Sequence, residues 1–307
     1  MPATHIIIST HTTRHLRATL LGVAIQTPRP ASVVVSIDND QTDVRELCAS
    51  CSREWNLPLI VAWRPRPREV RVGQVRNNGV RALLSEPQPG IEEASWLHFL
   101  DGDSVIPGGM LAEADRTRAG GELLIGGRVL LTEPQTEAFD TARFARGEPT
   151  IELSADQSAE RSARHARYAR QLWLKRFGLV KMHKPKVLGA NNACTLAMYQ
   201  KVDGYDETFL GAWREDDDFG RRIYLAGGKG RVAVANVCVY HLWHPLNPQK
   251  RENWSELPGA KANPPLSPAW LPRAGLTTPS PQETVQACRL VQGQTQQEWS
   301  ATNPSPS

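Results

Sequence analysis

Apolar and polar positions along the first hundred residues sort into short β-branched runs separated by longer amphipathic stretches. Residues 5–10 read as a strand, 13–26 as a helix, 31–38 as a valine-rich strand and 42–55 as a helix. Residues 59–63 read as a third strand, and the loop Arg64-Pro65-Arg66-Pro67-Arg68 leads into a helix over 72–84 and a fourth strand over 95–100. This alternation predicts an α/β fold, a mostly parallel sheet with helices on both faces, in which ligands bind beyond the carboxyl ends of the strands. Ser9-Thr10, Asp38 and Asp101-Gly102-Asp103 stand at such ends.

Residues 121–131 read as another strand, and a helix is expected over 158–177. Residues 161–186 hold nine Lys or Arg and no acid, with Leu172, Trp173, Leu174 and Phe177 in the second half. That segment suits either a solvated face beside an acidic site or contact with an anionic acceptor or membrane surface. From 247 to 307 the composition turns to Pro, Ser, Gln, Thr and Asn, which predicts a tail with little packed structure. The expected division is therefore a catalytic domain over 1–246, with a nucleotide-binding half (1–105) and an acceptor and metal half (106–246), followed by that tail.

A length of 307 residues and ordinary hydrophobic and charged fractions fit a soluble globular enzyme. Neither a basic leader nor a long apolar segment is visible, so a cytoplasmic location, peripheral to a membrane at most, is expected. A net charge of +4 gives no reason to expect nucleic acid as a partner. Cys48 and Cys51 have metal or redox spacing, but no second pair or nearby His completes a site, which favours ordinary helix residues.

Two acidic clusters carry the chemistry. Asp101-Gly102-Asp103 follows the apolar run Ser95-Trp96-Leu97-His98-Phe99-Leu100, and an Asp-x-Asp at a strand end can hold Mg²⁺ or Mn²⁺ against a diphosphate, although a surface turn reads the same way. Glu215-Asp216-Asp217-Asp218 places four carboxylates in a row, stable where solvated, at a helix N-terminus, on a metal or opposite basic groups.

Four segments in order sharpen the reading. Lys186-Val187-Leu188-Gly189-Ala190-Asn191-Asn192-Ala193-Cys194, Lys201-Val202-Asp203-Gly204-Tyr205-Asp206-Glu207, Glu215-Asp216-Asp217-Asp218 and Val239-Tyr240-His241-Leu242-Trp243-His244-Pro245 resemble successive landmarks of family 2-like glycosyltransferases of GT-A fold. The C-terminal half also resembles the galactosyltransferase-type domain. The resemblance spans roughly residues 4–245 and implies a metal-dependent, inverting transfer of a sugar from a nucleotide-sugar donor, UDP-linked by preference, to a glycan, lipid-linked or small-molecule hydroxyl acceptor. It implies Asp101, Asp103 and His241 as ligands of Mn²⁺ or Mg²⁺, with His244 a second candidate, and Asp216 as the catalytic base. Trp213, Glu215 and Asp217 would meet the acceptor, Asp218 would orient it or cap the helix, and Ser9, Thr10, Asp38, Arg71, Arg76, Asn77 and Asp101 would face the donor. One departure stands out, because Trp213-Arg214 precedes Glu215-Asp216 where such enzymes usually carry Trp-Gly-Gly. Two other readings remain: a sugar-nucleotidyltransferase, for which Ser9-Thr10-His11-Thr12-Thr13-Arg14 offers no glycine- and lysine-rich phosphate loop, and a degenerate sugar-binding scaffold.

Overall fold

Valine- and isoleucine-rich runs form the central strands because both their faces are covered by helices. In chain order the elements of the first half are β1 (Thr4–Thr10), α1 (Leu16–Ala24), β2 (Ser32–Ile37), α2 (Thr42–Trp55), β3 (Leu59–Trp63), α3 (Val72–Leu84), β4 (Trp96–Asp101), β5 (Ser104–Val105) and α4 (Met110–Thr117). Then follow β6 (Leu123–Ile125), β7 (Gly127–Leu130), α5 (Glu133–Glu137), α6 (Thr141–Ala145), α7 (Ala155–Lys175), β8 (Asn191–Thr195), α8 (Leu196–Lys201), α9 (Glu215–Leu225), β9 (Gly230–Val232), β10 (Cys238–His241), β11 (Val285–Val291) and β12 (Gln294–Ala301). The computed structural model describes residues 2–65, 70–86, 91–148, 150–211, 214–245, 263–280 and 284–301.

Among the described residues, a nine-stranded sheet runs β12-β11-β3-β2-β1-β4-β8-β6-β9, and β5-β10-β7 form a second sheet. Strands β3, β2, β1 and β4 are mutually parallel, as the alternating pattern predicts. Ile6, Ile8, Val33 and Val35 point into one core, while Ile7, Val34 and Phe99 point into the other. This alternation is the two-residue period of strands buried on both faces. Cys48 and Cys51 are free and buried in α2.

The single strand expected over 121–131 is two. Leu124 pairs with Ala193 in the large sheet, whereas Val129 pairs with Tyr240 in the small one. The chain changes sheets at Gly126, where an added Cβ would overlap the Asn191 amide, and that amide donates to the carbonyls of Gly127 and Val237. Helix α7 begins three residues earlier than expected, at Ala155, because Ser154 and Gln157 form a capping box.

The tail also differs from expectation. Strand β11 lies antiparallel on β3, with Cys288 opposite Val61, and β12 completes the edge. Val285, Ala287 and Leu290 are buried, but β12 is polar and mostly exposed. Backbone ladder bonds hold an edge strand whatever its side chains, so composition hides it. Residues 263–280 are laced to the body as well. Ser267 N–H donates to Asp218 (2.6 Å), Arg273 pairs with Asp206 (2.9 Å) and Ser280 N–H donates to Glu207 (3.0 Å).

Two histidines sit inside the large sheet. His5 is buried with no hydrogen-bond partner on either ring nitrogen, and burial pushes its pKa from 6.5 down to about 4. Burial likewise lowers His98 to about 4, against the opposing hydrogen bond with Asn191 (2.8 Å). The unfolded chain takes up these protons first as pH falls, so stability is retained above about 6.5 and is lost on descending towards 4. His5→Leu should remove roughly 2–3 kcal/mol of that loss, read from urea unfolding at a series of pH values.

Candidate active site

The carboxyl end of β4 brings Asp101 and Asp103 to the surface of the sheet, and the small sheet brings two histidines to meet them. β10 runs antiparallel to β5 with His241 opposite Ser104, and Leu242 N–H donates to the Asp103 carbonyl (3.0 Å). Leu242 is buried, His15 Nε2 lies 2.8 Å from the Trp243 carbonyl, and Trp243 N–H donates to Thr136 Oγ1 (2.8 Å), so the segment between the two histidines is pinned on both sides. His241 Nδ1 then stands 3.0 Å from Asp103 Oδ1, and His244 Nε2 stands 3.4 Å from Oδ2.

Asp103, His241 and His244 form the cluster that could hold a metal ion among the described residues, their ligand atoms all within 4.8 Å of one another. His241 Nδ1 is buried and lacks hydrogen-bond geometry despite its closeness to the carboxylate. An orphaned nitrogen facing a carboxylate oxygen fits a shared divalent cation held by mixed N and O donors. Burial works against the Asp103 charge, yet His241 and His244 hold its pKa well below the usual carboxylate range. Contact with Asp103 in turn raises His244.

Asp101 faces the other way. Its Oδ1 accepts from Arg76 Nη2 (3.2 Å) and lies 3.4 Å from Ser9 Oγ, and it is not one of the three clustered ligands. The cluster Asp103, His241 and His244 shares two members with the expected set of Asp101, Asp103 and His241 and has His244 where that set has Asp101. Asp101 meets Arg76 and Ser9 while Asp103 meets the two histidines, which the motif alone does not reveal.

Arg76 joins the two acidic clusters. Its buried guanidinium reaches Asp216 Oδ1 (2.8 Å) and Glu215 Oε1 (3.2 Å) as well as Asp101, and it lies 5.0 Å above the Tyr205 ring centroid. Burial opposes the Arg76 charge, but Asp216 and its neighbours hold the group firmly protonated. Asp216 Oδ2 also accepts from Gly189 N–H (2.8 Å). A Cβ at Gly189 would overlap the guanidinium, so only glycine allows the backbone this close. Burial raises the pKa of Asp216, with Arg76 opposing, and burial together with Asp216 pushes Glu215 up to about 8. Both carboxyls therefore hold a proton more readily than free acids do.

The remaining acids of α9 divide by depth. Asp217 pairs with Lys186 (2.8 Å) near the surface. Asp218 is fully buried, bridging Arg222 (2.7 Å) and Ser267 N–H, so it holds the helix rather than orienting an acceptor. Trp213 lies outside the described residues. Arg214, at φ 67°, occupies the left-handed region at the helix N-cap, the conformation that a glycine of the usual pair would adopt freely.

On the donor side the structure separates candidates. Ser9 and Thr10 end β1 beside Asp101. Asp38 is bound by buried Arg64 (2.9 Å), which also donates to Gln74 (2.6 Å). Arg71 donates to the Glu207 carbonyl (2.7 Å). Asn77 does not face a ligand. Its amide donates to the Tyr205 carbonyl (2.9 Å) and Glu207 Oε1 (2.7 Å), and its Oδ1 accepts from Tyr199 OH (2.5 Å) and Tyr205 N–H (2.9 Å). With all four capacities used in a fully buried setting, Asn77 is a structural clamp. Sequence reading missed Gly189 N–H and Tyr205 as parts of the site. Both lie inside the quoted landmarks, but their roles arise only when α3 and α9 meet.

Residues 176–244 match the family described as the N-terminal domain of galactosyltransferase. Among solved structures, that of GalNAc-T7 with UDP, GalNAc and Mn²⁺ is similar in fold, at 14% identity and TM-score 0.50 over 81% of this chain and 45% of that one. The structure of S. aureus TarS residues 1–349 aligns at 15% identity and TM-score 0.49 over 78% of this chain and 60% of that one. The chain thus spans less than two thirds of either structure. No curated protein matches the sequence. The chain therefore has a GT-A-like α/β fold, and residues 176–244 form a galactosyltransferase-type segment within it.

Two stability tests follow from the geometry. Arg76→Met leaves two buried or half-buried acids and Asp101 without their shared cation, and it should cost about 3–5 kcal/mol in denaturant unfolding. Arg214→Gly relieves the left-handed strain and should leave stability unchanged or raise it by up to about 1 kcal/mol, read as a rise in Tm.

Proposed function

We propose that the chain transfers a sugar from a nucleotide-sugar donor, UDP-linked, to a hydroxyl acceptor with inversion at the anomeric carbon and with the help of a divalent metal. The observation that carries this reading is a metal-compatible cluster, Asp103 with His241 and His244, two residues along the chain from Asp101, whose carboxylate shares the Arg76 guanidinium with Asp216. The UDP, GalNAc and Mn²⁺ named with GalNAc-T7 belong to that protein, and they guide the choice of donor class and metal here.

Asp103, His241 and His244 would hold the ion. A bound Mn²⁺ or Mg²⁺ neutralises charge on a leaving diphosphate. Asp216 takes the proton from the attacking hydroxyl, since its side chain is 26% exposed to the cleft while Arg76 and Gly189 N–H fix its orientation. Glu215 and Asp101 share the Arg76 charge with Asp216. Ser9 and Thr10 line the donor side, and Asp217 with Lys186 lies on the acceptor side of α9. With Asp38 already bound by Arg64, the part it would play in recognising a uracil ring depends on that pair opening.

Calorimetry with UDP-, GDP-, TDP- and CDP-sugars, with and without Mn²⁺, tests the reading. One donor should bind in a metal-dependent way to the wild type and fail to bind Asp103→Ala and His244→Ala. Asp216→Asn should keep that binding but lose turnover by roughly 10²–10⁴-fold, together with the acid limb of the wild-type pH profile, which should lie above the ordinary aspartate range because burial raises this group. Failure of every donor to bind would favour a sugar-binding scaffold, and metal-independent binding would remove the ion from the scheme.

A further inference from the structure

Helix α7 ends in an exposed apolar knuckle. Trp173 is 57% exposed, Phe177 61%, Leu179 67% and Met182 37%, all within ten residues of chain. Soluble surfaces seldom gather large apolar side chains in this way unless something covers them. The knuckle is built rather than frayed. Gly178, at φ 69°, turns the chain so that Gly178 N–H donates to the Lys175 carbonyl (3.0 Å) and Leu179 N–H to that of Leu174 (3.2 Å), a left-handed helix stop. Trp173 and Phe177 meet edge to face at 5.2 Å. Lys175 turns inward, donating to the Met182 carbonyl (2.6 Å) and lying 4.1 Å above the Tyr224 ring of α9.

Basic residues flank the knuckle. Arg170 and Arg176 are exposed before and within it and Lys181 on the loop that follows, while Lys186 further along pairs with Asp217. No acid occurs anywhere between residues 161 and 186. Apolar tips ringed by Arg and Lys complement a surface with hydrocarbon beneath negative headgroups, whereas a protein groove would equally accept acids in the ring. Among the described residues, no helix is long and apolar enough to cross a membrane, so the match is to a surface rather than a span.

We propose that Trp173, Phe177, Leu179 and Met182, with the basic residues around them, form a docking surface for an anionic phospholipid membrane. The loop that leaves the knuckle runs directly to the site. Lys186 pairs with Asp217, and Gly189 N–H holds Asp216. Docking here therefore brings the acceptor side of the cleft towards the headgroups. The surface stands on its own geometry and does not depend on the transfer reading.

The test is sedimentation of the full chain with vesicles of phosphatidylcholine, with and without phosphatidylglycerol, at low and high salt, alongside light scattering of the free protein. The wild type should sediment with phosphatidylglycerol vesicles and be released by salt. Phe177→Ser with Leu179→Ser should weaken that binding at least about tenfold, and Arg170→Glu with Arg176→Glu should abolish the preference for the anionic lipid. All four side chains are exposed, so both variants should keep the wild-type unfolding profile. The proposal is overturned if the wild type binds neither vesicle or if both variants bind as it does. It is also overturned if the wild type is a dimer that Phe177→Ser dissolves, which would assign the face to a second copy of the chain.

Discussion

A single guanidinium buried among three carboxylates organises the site. Arg76 would be intolerable in a core by itself, and Glu215 and Asp216 would repel each other without it. Each makes the other's burial possible, and the arrangement needs four separate pieces of chain: α3 for the arginine, the end of β4 for Asp101, the Gly189 turn for close approach and the first turn of α9 for the acids. The Tyr205 ring closes the open side of the cation, and Phe219 of α9 stacks on that ring at 4.1 Å. Aromatic packing thus fixes the distance between α3 and α9, and with it the position of Asp216.

A second layer supports the first. Asn77, Arg81 and Glu207 form a saturated buried network, with Arg81 in an ion pair to Glu207 (2.6 Å) and donating to the carbonyls of Gly275 (2.7 Å) and Leu276 (3.0 Å). Asp218 ties the base of α9 to Ser267. Residues 263–280 consequently act as a strap beneath α9, and the two C-terminal strands cover the β3 edge that a parallel sheet would otherwise leave open. The metal-compatible cluster is held differently, by backbone pairing of β5 with β10, so the two chemical halves of the site rest on independent scaffolds joined at Arg76 and Asp101.

Local sequence pattern determined the first four parallel strands and the helices between them, since β-branched runs and amphipathic stretches commit the backbone before any distant contact forms. It also marked both acidic clusters and the His-x-x-His spacing at 241–244. It ranked Asp103 above Asp101 as a metal ligand only through the family resemblance, and it did not show that Asp101 meets Arg76. It placed Asn77 towards a ligand because it cannot show that Tyr199 of α8 and Tyr205 and Glu207 of the segment after it take all four hydrogen bonds of that amide. It read the polar tail as unpacked because an edge strand is held by backbone bonds that leave no mark on composition. The sequence by itself therefore settled the fold class and the residues with chemical capacity. Only the tertiary structure decided which acid meets the histidines, which meets Arg76 and which is buried as a brace, because each assignment depends on a partner distant in sequence, more than a hundred residues away along the chain for Arg76 and Asp216.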